Sequence, residues 1–252
     1  MLQCILRAAA GTGFPFLMTT LGAAVVFLFR ETPQPRFQKC MIGFAAGVMT
    51  AASIWSLLLP AIERAEQSGR APSWLVASAG MLSGVMFLAA LDALLPRLRC
   101  GGARGGDQQS ALLMAAITLH NIPEGMAVGL AFALAGAGDG LMAAAALALG
   151  IGIQNFPEGT AVSLPLRQSG CSRTRAFVGG MLSGAVEPAG GILVVLAAAA
   201  GQTVMPWLLS FAAGAMLYVV VEELVPQAHS RAGTCGFVGG FLVMMVLDIA
   251  LG

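Results

Sequence analysis

The stretches ALLMAAITLHNIPEGMAVGLAFALAG (111–136) and LMAAAALALGIGIQNFPEGTAVSLPL (141–166) decide the fold. Each runs for 26 residues and is apolar except for one polar cassette, HNIPEG (120–125) in the first and QNFPEG (154–159) in the second. A helix needs roughly 20 predominantly apolar residues to cross a ~30 Å hydrocarbon core, so each stretch is long enough to span. The cassettes recur at an interval of 34 residues. A Glu, a His and several amides are costly to bury at mid-membrane depth, and groups so placed mark ion or substrate paths.

Working outward, composition extends the membrane reading to the whole chain. Of 252 residues, 58% are hydrophobic and 10% are charged, whereas soluble domains average about 25% charged. A soluble domain is excluded. A net charge of +1 gives no electrostatic footprint for nucleic acid. The 33 glycines suit helices that pack closely in lipid. Eight apolar segments are predicted, at 12–29, 41–62, 73–95, 111–136, 140–166, 175–200, 206–227 and 235–251. The fold class is therefore an all-α polytopic membrane protein, with residues 1–252 forming one transmembrane domain. The first segment follows a single Arg7 with no small-residue cleavage site, and reads as a helix rather than a removed signal peptide. The Gly-rich stretch 101–106 reads as a flexible loop. Five isolated cysteines with no CxxC spacing read as free thiols.

Orientation follows from the basic residues. With eight helices the breaks alternate sides. Ten of the thirteen Lys and Arg fall on one side: Arg30, Arg36, Lys39, Arg97, Arg99, Arg104, Arg167, Arg173, Arg175 and Arg231. Only Arg7, Arg64 and Arg70 fall on the other, with Glu63 and Glu66 beside them. The basic side is predicted to be cytoplasmic, so both termini are extracytoplasmic.

A second repeat is weaker. FAAGVM (44–49) in segment 2 returns as FAAGAM (211–216) in segment 7, and Pro60 and Pro226 follow at nearly the same distance. Gly84 precedes Asp92 by eight residues in segment 3, as Gly240 precedes Asp248 in segment 8. Segments 1–3 then correspond to 6–8. An odd number of helices per copy inverts the copies in the membrane, a recurrent transporter plan with the site at the junction. The expected arrangement is 3+2+3, with segments 4 and 5 as the central pair. Chance recurrence in Ala/Gly-rich sequence is the competing explanation for FAAG and for GMLSG (80–84 and 180–184), and the shared placement of Pro and Asp argues against it.

Helical residues three and four apart share a face. His120, Asn121 and Glu124 therefore form one stripe, and Gln154, Asn155 and Glu158 form its counterpart. Pro123 and Pro157 cannot donate to the carbonyls of Leu119 and Ile153, which predicts kinks just before the stripes. Such kinks are tolerated where they line a wet cavity. Gly125 and Gly159 admit a close approach by a backbone or an ion. The two stripes supply one imidazole and many oxygens, with no thiolate. That mixture suits Zn, Fe(II), Mn or Cd more than Cu(I). A single His disfavours a closed structural zinc site. Two carboxylates offset a divalent charge and have room to bridge two ions. Mutual pairing of the polar groups as structural glue is the competing reading.

At these residues the chain resembles a known family. HNIPEGMAVG and QNFPEGTAVSLPL resemble the paired signatures of helices 4 and 5 in the ZIP (Zrt/Irt-like) metal transporters. The similarity extends to FAAGVM in segment 2, VEPAGG (186–191) in segment 6 and VVVEELVP (219–226) in segment 7. Gln154, where many members carry His, resembles the bacterial GufA-like branch. The resemblance implies eight helices in a 3+2+3 bundle, a multi-pass protein of the bacterial inner membrane, and often a homodimer. It implies import of divalent metals, zinc most commonly, with one or two ions at the site and Cd, Fe or Mn as alternatives. By motif, His120, Asn121, Glu124, Gln154, Asn155, Glu158 and Glu187 are the metal-site set. Met49 and Ser56 match entrance-side contacts, with core packing as the alternative. Asp92, Glu222, Glu223 and Asp248 are candidate inner-pathway acids, with helix-end solvation as the alternative; His229 reads as a loop residue. The segment 3–4 loop lacks the His-rich sequence of many members, which argues against metal feedback there. An intramembrane metallohydrolase and a non-transporting metal sensor are the rival classes. The first would use Glu124 or Glu158 as general base, but no HExxH-like motif is present.

Overall fold

A computed structural model describes residues 2–28, 34–94, 105–135, 139–168, 170–198 and 203–251, with the side chains of 2, 105–117, 119, 120, 139 and 251 outside that description. The described residues form helices and short connections, with no strand among them. Eight helices follow in order. They are α1 (Leu2–Leu28), α2 (Pro35–Ser68), α3 (Ser73–Leu94), α4 (Gly105–Leu134), α5 (Asp139–Gln168), α6 (Arg173–Ala198), α7 (Met205–Ala228) and α8 (Arg231–Leu251). Seven are long and apolar enough to cross a bilayer, and α4 adds the apolar stretch Asn121–Leu134. Leu193 (66%), Val221 (67%) and Ile249 (67%) are exposed on the outside of the bundle, which is the arrangement lipid requires.

Local chemistry sets the helix ends. Pro35 starts α2 at a position that needs no N–H donor, and Gly69, at φ 59°, ends it in the left-handed conformation. The Ser172 side chain caps α6 by accepting from the Arg175 backbone N–H, a contact worth about 1 kcal/mol. Arg7 donates to the carbonyl of Ala135 at 3.1 Å, placing a cation at the C-terminus of α4. Several helices extend beyond the apolar segments. α1 begins at Leu2 because LQCILRAAAG (2–11) is itself mostly apolar, whereas α2 continues through ERAEQS (63–68) because helix propensity carries the backbone past the end of the apolar run.

Prolines leave marks inside the helices. α2 widens to a π-helical turn at Ser53–Leu58, just before Pro60, and α7 does the same at Val220–Leu224, just before Pro226. α6 is interrupted at Ala185, one turn before Pro188, whose missing N–H leaves the Gly184 carbonyl unpaired. α4 and α5 remain helical across Pro123 and Pro157.

Four helix pairs pack closely: α2 with α8, α3 with α7, α1 with α5, and α4 with α6. Small residues set the distances. A methyl group on Gly47 would lie 2.0 Å from the carbonyl oxygen of Phe237, and one on Gly240 would lie 2.0 Å from that of Phe44. In the α3–α7 pair, a methyl on Gly214 would meet the carbonyl of Met81 at 2.0 Å, and one on Gly84 that of Phe211 at 2.0 Å. Contacts advance together along both chains of each pair, so each pair is parallel. Parallel packing of α2 with α8 and of α3 with α7 is what eight alternating passes require. The two chain termini therefore lie at one end of the bundle.

Candidate metal site

The two cassettes face each other inside the bundle. Gln154 of α5 donates its amide N–H to Glu124 Oε1 of α4 at 2.7 Å. Asn121 of α4 donates through Nδ2 to the backbone carbonyl of Ser183 on α6 at 2.9 Å. The hydroxyl of Thr19 on α1 donates to Glu187 Oε1 on α6 at 2.9 Å. Four helices thus converge on one polar cluster. Asn121, Glu124, Gln154, Asn155 and Glu187 are completely buried, and Glu158 is partly buried. The carboxyls of Glu158 and Glu187 lie close enough to Glu124 to repel its charge.

Most of these groups keep an oxygen without a hydrogen-bond partner. They are Asn121 Oδ1, Glu124 Oε2, Gln154 Oε1, Asn155 Oδ1, Glu158 Oε2 and Glu187 Oε2. Buried polar atoms in native proteins are normally paired, and each unpaired one carries a desolvation cost. A converging set of acceptors, half of them carboxylate, is the donor set a divalent cation satisfies. Mutual pairing as structural glue accounts for the Gln154–Glu124 bond, and Asn155 Nδ2 is a further unpartnered donor in the cluster, but the unpartnered oxygens outnumber it. Among the described residues no three His, Cys, Asp or Glu gather as a metal-ligand cluster. The ligand set is therefore a carboxylate–amide mixture, to which the sequence adds His120, whose side chain lies outside the described residues.

The glycines of the two Pro-Glu-Gly runs admit backbone. A methyl on Gly125 would lie 2.2 Å from the carbonyl oxygen of Glu187, and one on Gly159 would lie 2.0 Å from that of Thr19. α6 and α1 are thereby seated directly against the cassettes.

A cavity of about 40 Å³ opens beside the cluster. Glu158, Pro157 and Ala161 of α5, Ile42 and Ala45 of α2, and Glu223, Leu224 and Gln227 of α7 line it. These residues lie in the half of the bundle opposite the termini, running from Glu158 in the cluster toward Gln227 near the end of α7. Glu222 and Glu223 lie there on α7, and both, with Asp92 of α3, lie within electrostatic reach of Tyr218. Asp248 does not join them. Ser56 Oγ donates to Asp248 Oδ1 at 2.6 Å, at the terminus-bearing end. α8 runs opposite to α3, so the Asp that matches Asp92 in spacing sits toward the other end of the bundle. Met49 is fully buried in the apolar core beside Met216 and Met244. His229 is exposed and follows the end of α7, as a loop residue would. Cys4, Cys40, Cys171 and Cys235 are free thiols; Cys100 and the Gly-rich stretch 101–104 lie outside the described residues. Sequence reading missed Thr19, Ser183 and Gln227.

The family model described as "ZIP Zinc transporter" matches residues 99–248, from just before α4 into the last turn of α8. The chain belongs to the ZIP family. Zinc transporter GufA of Myxococcus xanthus is 41% identical to this ZIP protein, covering 93% of this chain and 94% of the relative. Zinc transporter ZIP11 of Xenopus tropicalis is 37% identical and covers 98% of both chains. Zinc transporter ZIPB of Bordetella bronchiseptica is 37% identical, over 98% of this chain and 81% of the relative. ZIP proteins are transporters rather than enzymes, so the hydrolase reading falls away.

Proposed function

We propose that this ZIP protein imports Zn²⁺ into the cytoplasm across a bacterial inner membrane, through the cluster formed by α4, α5 and α6. The observation that carries this reading is the convergence of unpartnered oxygens from Asn121, Glu124, Gln154, Asn155, Glu158 and Glu187 at mid-bundle. His120 completes the ligand set, which has room for one ion or two. Both termini face outward, so the ion leaves Glu158 through the adjoining cavity toward Glu223 and Gln227. Ser56 and Asp248 stand on the entrance side. The names of the relatives support zinc as substrate.

The inverted repeat supports passage through the middle. Thr19 and Glu187 are 168 residues apart, and Gly22 and Gly190 keep the same interval. A methyl on Gly22 would meet the carbonyl of Phe156 at 1.9 Å, and one on Gly190 that of Ile122 at 3.0 Å. The two carbonyl partners lie at matching places in the two cassettes.

A broader substrate range is the second reading, favoured by Gln154, since an amide oxygen draws zinc less selectively than imidazole. Uptake of radiolabelled zinc into proteoliposomes of the full chain, with unlabelled Cd²⁺, Mn²⁺ and Fe²⁺ as competitors, tests both. Saturable zinc flux is expected. Flux no greater than in protein-free liposomes overturns transport and leaves a metal sensor as the reading.

A further inference from the structure

We infer that Thr19 of α1 is a positioning residue for the metal site, holding one oxygen of Glu187 so that the carboxylate presents a single oxygen to the ion. The inference rests on the site proposed above. Thr19 and Glu187 are both completely buried. The Thr19 hydroxyl lies 2.9 Å from Glu187 Oε1 and 3.2 Å from the carbonyl of Pro15, one turn back on its own helix. A hydroxyl has one proton to give. An ionised Glu187 is the stronger acceptor, because hydrogen bonds to a charged group are about twice as strong as neutral ones. Oε1 is therefore engaged as an acceptor, which weakens it as a ligand beside Oε2, and Oε2 is left without a partner.

Both ends of this bond are fixed by backbone. The carbonyl of Thr19 abuts Gly159, and the backbone of Glu187 abuts Gly125. Gly184 makes room between them: a methyl there would lie 2.8 Å from Thr19 Cγ2 and 3.1 Å from Glu187 Oε1. α1, α4, α5 and α6 thus lock the carboxylate in one orientation.

A carboxylate restricted to one oxygen changes which ion fits. Ions that take 6–8 oxygens fill their shells with bidentate carboxylates, whereas zinc settles for about four ligands. Thr19 therefore biases the site toward small ions of low coordination number. Without the hydroxyl, both oxygens of Glu187 become available and larger ions gain a ligand atom.

The test is equilibrium competition of Zn²⁺ against Cd²⁺ and Ca²⁺ on the purified full chain, with T19V, T19S and the E187Q and T19V/E187Q variants. T19V keeps the shape and removes the hydroxyl. It is expected to weaken zinc binding by about 10-fold or more, the usual effect of losing a hydrogen bond to a metal ligand, and to move the preference toward Cd²⁺ and Ca²⁺. T19S retains the hydroxyl and binds as the wild type. In the E187Q background T19V adds nothing. An unchanged zinc-to-cadmium ratio in T19V, an equal effect with Glu187 removed, or a T19S defect as large as that of T19V overturns the inference. If T19V aggregates, T19A is measured in its place. Absence of saturable zinc binding in the wild type overturns the site itself. Normal wild-type binding with T19V unmoved overturns only the role of Thr19.

Discussion

Gln154 and Glu124 meet across the α4–α5 interface through one amide hydrogen, 2.7 Å from donor to acceptor. The bond commits one of the two Gln154 N–H donors to one carboxylate oxygen. It leaves Gln154 Oε1 and Glu124 Oε2, one from each cassette, without partners. Only a group that donates or carries positive charge satisfies both.

In the proposed site Glu124 and Glu158 supply the charge that offsets a divalent ion. Glu124→Ala and Glu158→Ala are each expected to abolish zinc uptake in proteoliposomes. Expression and elution on size exclusion should stay near wild type, since each variant removes a buried like-charge neighbour. Wild-type flux in both variants would remove these residues from the path.

We propose that position 154 tunes metal preference. Zinc gains more from an imidazole nitrogen than manganese does, so Gln154→His is expected to raise zinc over manganese and iron in binding competition. Flux is measured beside it, because a tighter site releases more slowly. Unchanged competition in both assays would mean that Gln154 does not touch the ion, and the α5 ligands would reduce to Asn155 and Glu158.

By the positive-inside rule we propose that both termini lie outside the cytoplasm. A reporter active only in the periplasm is expected to work when fused after Gly252 and to be silent when inserted within 101–106. The opposite pattern would invert the transport direction drawn from the cavity.

Gly47 and Gly13 provide a paired test of the packing. A methyl at Gly47 would sit 2.0 Å from the Phe237 carbonyl, whereas one at Gly13 meets nothing within 4 Å. Gly47→Ala is expected to cost about 1–3 kcal/mol through overpacking. Gly13→Ala is expected to be neutral or to gain up to about 1 kcal/mol of helix propensity. Thermal unfolding in detergent distinguishes them, and equal midpoints would contradict the close α2–α8 seam.

The cavity beside Glu158 is small enough to plug. Ala161→Phe is expected to slow zinc uptake severely while equilibrium zinc binding persists, because the substitution fills the way out and leaves the ligands in place. Loss of binding and flux together would show that Ala161 supports the site rather than the exit.

Much of this architecture was legible because hydropathy and charge report the bilayer directly. The eight passes and their alternation follow from apolar runs and the side each Arg falls on. Helix ends were less legible: residues 63–68 are helical for reasons of propensity, which hydropathy does not register. At the site, Glu124, Gln154 and their neighbours stand out because charge and amide are rare in apolar sequence. Thr19 does not, since a lone Thr in a membrane helix ordinarily bonds its own backbone, as Thr20 and Thr50 do here. Ser183 takes part through a backbone carbonyl, which no residue type advertises. Asp248 resembled Asp92 in spacing, and similarity of spacing says nothing about which end of an inverted copy a residue reaches.

The cavity lined by Glu158 has a consequence for the kinetics of passage. Its 40 Å³ hold roughly three water molecules, while Glu124, Gln154 and Asn155 are completely enclosed. A hydrated ion is far larger than that space. Magnesium surrenders its water reluctantly and keeps several even when protein-bound, so it would be turned away by slow dehydration, whatever its attraction to the carboxylates. In the proposed pathway the enclosed cluster thus acts as a clock as well as a binding site, and turns away ions whose shells exchange too slowly to be stripped during a visit.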